Sequence, residues 1–339
     1  MKLIGGYLFA VLRTNPKGSL GSSSLSRCTL FGNTNISLPN RLSSSRFSVR
    51  GMSMSMSTSS SKYDESTQTL IDHMKQPLPL IDVDCNLLHE DLISILQESP
   101  DTIYQDTCTN LRILHHPSTV ASNILGVFSP SSTIDEARTM HSILLSSTEE
   151  GRNNIDVRMS VGVHPYHAEE AGDLTEIESD VADQISTLMD KDASNANASG
   201  EHNFITCIGE AGLDYSDGFP SRDKQLPWFE FQLRCAKKYN LPLFLHERLA
   251  FDDTVALIDK VFSDKGDDDD DCPPPPPPPI IIHCFTGTKE ECEKYVERGY
   301  HISVSGYVLK NGDGPEEVKS CLRDGIIPLD KLMIETDGE

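Results

Sequence analysis

Leu241-Pro242-Leu243-Phe244-Leu245-His246 and Ile280-Ile281-Ile282-His283 decide the fold. Each is a short apolar run that ends on an imidazole. The Ile280-Ile281-Ile282 run is apolar throughout, the pattern of a strand covered on both faces rather than of one facing water. Working outward, similar runs recur at Leu80–Cys85, Ile124–Phe128, Arg158–Val163, Phe204–Gly209, His301–Ser305 and Lys331–Ile334, which makes eight candidate strands with the two quoted. Helical patterns separate them. Thr133 with Glu136 predicts a capping box that opens a helix through about Ser146. Leu226, Phe229, Leu233 and Ala236 fall at helical spacing. Lys289–Arg298 reads as a further helix closed by Gly299. Strands alternating with helices predict an α/β fold, and eight parallel strands fit a TIM-like (β/α) barrel better than an open sheet.

Two polar stretches interrupt this pattern, at 190–203 and 265–279. The first is small, polar and read as flexible. The second holds Asp267–Asp271, Cys272 and Pro273–Pro279, an acidic run followed by a stiff proline segment. It lacks the ordered ligand spacing of a calcium loop and reads as a solvated spacer. Both precede a strand, so in a barrel they lie opposite the chemistry.

The first 63 residues differ in kind. Eight cations, from Lys2 to Lys62, precede the first acid, Asp64, in a stretch crowded with serine. Basic, Ser-rich and acid-free is the composition of a transit peptide, so residues 1–63 are expected to be a disordered targeting segment for mitochondrion or plastid. Without such a signal the expectation is cytoplasmic. Leu3–Leu12 could instead serve as a secretory apolar region. Residues 64–339 would form the barrel.

The net charge is −23, and setting the eight N-terminal cations aside leaves about −31 on the rest. That disfavours a broad electrostatic grip on nucleic acid, unless bound divalent ions supply local positive charge. No stretch of about 18 uncharged apolar residues exists, so a membrane partner is not expected. The nine Cys show no C-x-x-C spacing and read as small buried groups in a reducing compartment. Nothing indicates an obligate protein partner.

Four strand ends carry groups that are costly to bury alone: Glu210, His246, His283 and, closing the run Ile334-Glu335-Thr336-Asp337, Asp337. Parallel strands in a barrel bring these ends onto one ring. Two imidazoles and two carboxylates suit one or two divalent cations, Mg²⁺, Mn²⁺ or Zn²⁺. A lone His or Asp at such a place is more often structural; four at equivalent positions are not easily coincidental.

The chain resembles the TatD family of metal-dependent deoxyribonucleases. The matching stretches, in order, are Ile81-Asp82-Val83-Asp84-Cys85-Asn86-Leu87, Gly162-Val163-His164-Pro165, Gly209-Glu210-Ala211-Gly212-Leu213-Asp214-Tyr215, Gln225 through Gln232, Leu241 through Arg248, His283-Cys284-Phe285-Thr286-Gly287 and Glu335-Thr336-Asp337. The resemblance implies Glu210, His246, His283 and Asp337 as metal ligands, with Glu210 bridging and Asp337 also catalytic, orienting or deprotonating the attacking water. It implies His164 as a second catalytic residue, contacting the phosphate or carrying a proton, and Arg248 and Asn86 as substrate-binding. It implies phosphodiester hydrolysis of DNA, 3′-to-5′ and preferring single strands.

Three departures qualify it. Asp84 and Asn86 stand where many relatives have a His-x-His pair, and Asp84 is a candidate oxygen ligand. Glu247 follows the ligand His246 and would add negative charge near the site. Relatives continue past the last strand to a final helix, whereas this chain stops at Gly338-Glu339, so the last outer helix is expected to be missing and the sequence to be truncated. The rival functions are hydrolysis of small esters, lactones or amides on the same barrel, and a degenerate, non-catalytic barrel.

Overall fold

Every one of the eight apolar runs is a strand in the computed structural model, which describes residues 79–89, 111, 114–115, 123–200, 202–263 and 276–337. They are β1 (Leu80–Asp82), β2 (Ile124–Ser129), β3 (Asp156–Val161), β4 (Ile205–Asp214), β5 (Leu243–Arg248), β6 (Ile280–Ile282), β7 (His301–Val304) and β8 (Leu332–Ile334). They pair in chain order, all parallel, in a single sheet. The helices between them are α1 (Ile134–Ser146), α2 (Leu174–Ser199), α3 (Arg222–Tyr239), α4 (Phe251–Ser263), α5 (Lys289–Glu297) and α6 (Asp313–Arg323). Among the described residues no helix follows β8, and no helix is long and apolar enough to cross a membrane.

The ends of the sheet meet. Val83 N donates to Ile334 O at 3.3 Å and Asp337 N to Asp84 O at 3.0 Å. Thr336 donates from N and Oγ1 to the two oxygens of Asp82, at 3.1 and 2.9 Å. Eight strands closed in this way form a TIM-like barrel whose interior is just wide enough for side chains to fill.

Alternation along the strands divides the core into two layers. Phe128, Cys207, Phe244 and Ile281, with Met333 against them, fill the barrel, while Leu243, Leu245, Ile280 and Ile282 face the helices. His246, His283 and Glu335 each lie two residues beyond one of the interior residues Phe244, Ile281 and Met333. They therefore also point inward, one pleat nearer the C-terminal ends. On α3 the apolar stripe is buried as expected at Phe229, Leu233 and Ala236.

Two expectations change. The stretch read as a flexible insertion at 190–203 is helical to Ser199, and α2 ends on Gly200 in the left-handed region (φ 76°). Its low hydropathy conceals one anchor, Asp192, which is buried, pairs with His141 and accepts from the backbone of β4. Glu136 does cap α1 by accepting from Ser132 N, not by returning to Thr133, whose own side chain accepts from Glu136 N. The transit-like segment, the acidic run and the start of the proline run lie outside the described residues.

Candidate metal centre

Glu210 occupies the centre of the site because β4 breaks its alternation there. Ile208 pairs with Leu243 and Ala211 with Leu245, so Gly209 and Glu210 together oppose Phe244. Cys207 faces the interior, and strict alternation would send Glu210 outward; this bulge turns it in. Only glycine fits at 209, since its φ is 143° and a Cβ would lie 2.3 Å from Phe244 O.

Around Glu210 the imidazoles converge. Its Oε1 lies 2.6 Å from His283 Nε2, 3.3 Å from His164 Nε2 and 3.6 Å from His246 Nδ1. On the far side of His283, Nδ1 lies 3.1 Å from Asp84 Oδ2 and 3.9 Å from both Glu335 Oε1 and Asp337 Oδ1. Two groups of ligating atoms result, each within 4.8 Å of one another: His164, Glu210 and His246, then Asp84, His283, Glu335 and Asp337. Phe244 stacks beneath His283, ring centroids 4.7 Å apart.

Supporting hydrogen bonds fix these groups. Asp214 Oδ2 lies 2.8 Å from His246 Nε2, so that nitrogen carries the proton and Nδ1 keeps its lone pair for Glu210's side. His164 Nδ1 accepts from Tyr166 N, which leaves its Nε2–H to point at Glu210. Burial pushes the His164 ring down to about 3, so it is a neutral donor. Gln232 and Gln225, seven residues apart on α3, clasp the strand ends with their amides. Gln232 bonds Val163 N and O (2.8 and 2.9 Å), just before His164, and Gln225 bonds Asp214 N and O (2.8 and 2.6 Å). Cys284 Sγ donates to Asp337 Oδ2, and Ser303 Oγ donates to Glu335.

The electrostatics call for a cation. Among the described residues no Lys or Arg pairs with Asp82, Asp84, Glu210, Asp214, Glu335 or Asp337. Burial pushes Asp82 up to about 6, Asp84 up to about 7 and Glu335 well above the carboxylate range. Burial acts the same way on Glu210, but its three imidazoles hold it low. Both nitrogens of His283 are buried without a directed hydrogen bond, despite the 2.6 Å approach of Glu210. Burial works to lower the His283 ring, but Glu210 and Asp84 outweigh it and raise the ring well above the ordinary imidazole value. The oxygen and nitrogen donors suit a divalent ion of the Mg²⁺, Mn²⁺ or Zn²⁺ kind.

All four predicted ligands and His164 thus lie together, and Asp84 joins them. Arg248 is exposed at the end of β5, with no ion pair among the described residues. Asn86 stands apart: its amide donates to Glu136 and accepts from Leu88 N. Glu247 does not point into the site. As the neighbour of an inward residue it faces outward, where its carboxylate accepts from Ala250 N and Tyr295 Oη. Asp214, Asp82 and the two glutamines fall within the family-like motifs, but those motifs alone give them no role. Asp214 could have been found by counting inward positions from His246, but only with β4 known to run on past Gly209.

Residues 86–338 match the family described as TatD related DNase. The chain is 37% identical over 136 residues to the 3′-5′ ssDNA/RNA exonuclease TatD of Rahnella sp., covering 40% of this chain and 45% of that protein. To the deoxyribonuclease Tat-D of Schizosaccharomyces pombe it is 33% identical over 183 residues, 53% and 50% of the two chains. The chain therefore spans about half the length of the curated relatives it matches. Among solved structures, a TatD-family hydrolase of Entamoeba histolytica superposes with TM-score 0.56 at 22% identity, over 76% of this chain and 73% of that one. An uncharacterized amidohydrolase of Saccharomyces cerevisiae does so at 0.54 and 23%, over 77% and 75%. At these identities the likeness shows the barrel.

Proposed function

The chain belongs to the TatD-related DNase family, and on that premise we propose that it is a metal-dependent nuclease that hydrolyses phosphodiester bonds of DNA from the 3′ end of single strands. The single observation that carries this reading is the buried strand-end cluster, rich in carboxylates and imidazoles and without a Lys or Arg partner among the described residues. Glu210, His246, His283 and Asp337 would hold one or two divalent ions, with Glu210 between them and Asp84 in the place of a missing imidazole. The ion supplies Lewis acidity toward a phosphoryl oxygen and toward the attacking water.

The chain's own residues divide the remaining work. Asp337 is 27% exposed, the most open of these carboxylates, and is placed to orient a water and take its proton. The neutral His164 donates from Nε2 to a phosphate oxygen. Arg248, at the rim and without an ion pair among the described residues, offers a bidentate fork to the next phosphate. Asp214 holds His246 in one tautomer. Asn86 would contact substrate only after its amide leaves Glu136. Residues 1–63 would direct the chain to an organelle, which a fluorescent fusion to that segment tests.

The test is digestion of a 3′-labelled single-stranded oligonucleotide with and without added Mg²⁺, Mn²⁺ or Zn²⁺, in the wild type and in His246→Ala/His283→Ala. Metal-dependent shortening of the strand, lost in the double variant, is expected. Turnover of model esters or lactones with an intact oligonucleotide would replace this reading by small-molecule hydrolysis. Undiminished cleavage in the double variant would remove the site.

A further inference from the structure

Five large apolar side chains are exposed among the described residues: Leu125, Tyr166, Leu249, Leu309 and Leu329. Three of them, Tyr166, Leu249 and Leu309, follow the C-terminal ends of β3, β5 and β7, the face that carries the carboxylate and imidazole cluster. Tyr166 is the only aromatic one and is 56% exposed. It lies two residues beyond His164, in a 3₁₀ turn at Pro165–His167.

Tyr166 does not stand alone. Its ring meets Phe219 edge-on, centroids 5.5 Å apart at 82°. Phe219 lies nearly parallel to His246, 6.1 Å away at 19°, and tilts against His164, also at 6.1 Å. Rings thus run without a break from the metal centre outward, His246 to Phe219 to Tyr166. Buried aromatic chains are common in cores, but this one surfaces at the mouth of a site with a half-open ring, which meets Phe219 and, 5.2 Å away at 88°, His167. Such exposure beside a polar cluster marks a ligand surface.

We propose that Tyr166, backed by Phe219, is a stacking platform for the base of the nucleotide beside the scissile phosphate. The choice of ligand rests on the nuclease reading above. Every base has a π-face, so a stack of this kind binds without reading sequence, as an exonuclease that advances along any strand requires. It also supplies a reason for single-strand preference: a base inside a duplex has both faces covered by its neighbours and cannot reach the ring without unstacking. On an acidic barrel, where phosphate attraction is weak, stacking carries more of the affinity. Tyr166 then acts as a specificity-determining residue for strand state, not for base identity.

The full chain is tested with Mg²⁺ and a fluorescein-labelled oligothymidylate whose 3′ links are hydrolysis-resistant phosphorothioates, and with the same strand carrying abasic residues at its last two 3′ positions. Binding is read by fluorescence anisotropy, and cleavage of the unmodified strands separately. Removing the bases is expected to weaken wild-type binding about tenfold, the size of one base–aromatic stack. Tyr166→Ala should lose a similar factor on the base-bearing strand and none on the abasic one, while Tyr166→Phe keeps wild-type binding to both. Wild-type binding that ignores the bases overturns the platform. So does a Tyr166→Ala variant that loses equally on both strands, or on neither. Base-dependent binding without metal-dependent cleavage would keep the platform and remove the nuclease reading; cleavage without base dependence would do the reverse.

Discussion

His141 and His283 are both buried to 2% side-chain exposure and both face a carboxylate, yet the chain completes them differently. His141, on α1, lies 3.1 Å from Asp192 Oδ1 in a geometry that shares a proton, and Asp192 also accepts from Phe204 N and Ile205 N at 3.1 and 3.0 Å. His141 Nε2 and both oxygens of Asp192 find partners within the protein. At the strand ends His283 touches Glu210 and Asp84 without a directed hydrogen bond, and Asp84, Glu335 and Asp337 crowd its other side. Buried polar groups are normally satisfied. Carboxylates crowded around one imidazole, with no Lys or Arg pairing with them among the described residues, are what the proposed ion would complete; the outer pair needs no such addition.

That contrast breaks most readily at His283. His283→Ala should lower metal-dependent cleavage by on the order of 10³-fold or more, the scale of losing a group that stabilises transition-state charge, with the circular dichroism spectrum retained. Residual activity within a few-fold of wild type would make His283 no different from His141. A smaller loss is expected one contact further out. Asp214→Ala removes the acceptor that fixes His246, and metal affinity measured by calorimetry should fall about 10–100-fold. Unchanged affinity would reduce the 2.8 Å contact to packing.

The outer pair should respond in the opposite way. His141→Ala is expected to cost about 1–3 kcal/mol of unfolding free energy by leaving Asp192 short of a donor, while the stabilisation conferred by Mn²⁺ stays that of the wild type. Loss of the metal response in this variant would erase the distinction. The mildest test uses pH. Burial raises Asp82 to about 6 and Asp84 to about 7 from an ordinary 3.8, so the metal-free native state binds protons that the unfolded chain has already released. Their contribution is fully present below about pH 4 and is lost as pH rises through 6 to 7. Urea midpoints in chelator should therefore fall across that window. With Mn²⁺ present the ion replaces the protons, and the fall should shrink. Parallel curves with and without metal would deny that these carboxylates meet an ion.

The barrel was legible because its strands are near-continuous apolar runs, and the ligands because His246 and His283 end two of them. Period-two alternation carries that signal from Phe244 to His246 and from Ile281 to His283. The same rule turns Glu247 outward, which reading the dipeptide as a unit obscured. What the sequence hid has local causes. Gly209 reads as the end of a strand, whereas β4 runs on to Asp214, which the shorter strand leaves without a role. The direction of Glu210 depends on a bulge that no periodicity reports. The stretch after residue 190 has too little hydropathy to show a helix, and only Asp192 and the closing Gly200 hold it in place. Asn86 fitted a family position, but its amide is engaged by a contact with Glu136 that no motif encodes.

On this reading the strand-end cluster holds a divalent cation. Anomalous scattering from crystals grown with Mn²⁺ tests it most directly. The expected result is a peak bounded by Glu210, His246 and His283, with or without a second toward Asp84 and Asp337, and absent in His246→Ala/His283→Ala crystals. Manganese found only among exposed acidic side chains, with the cluster empty, would contradict it.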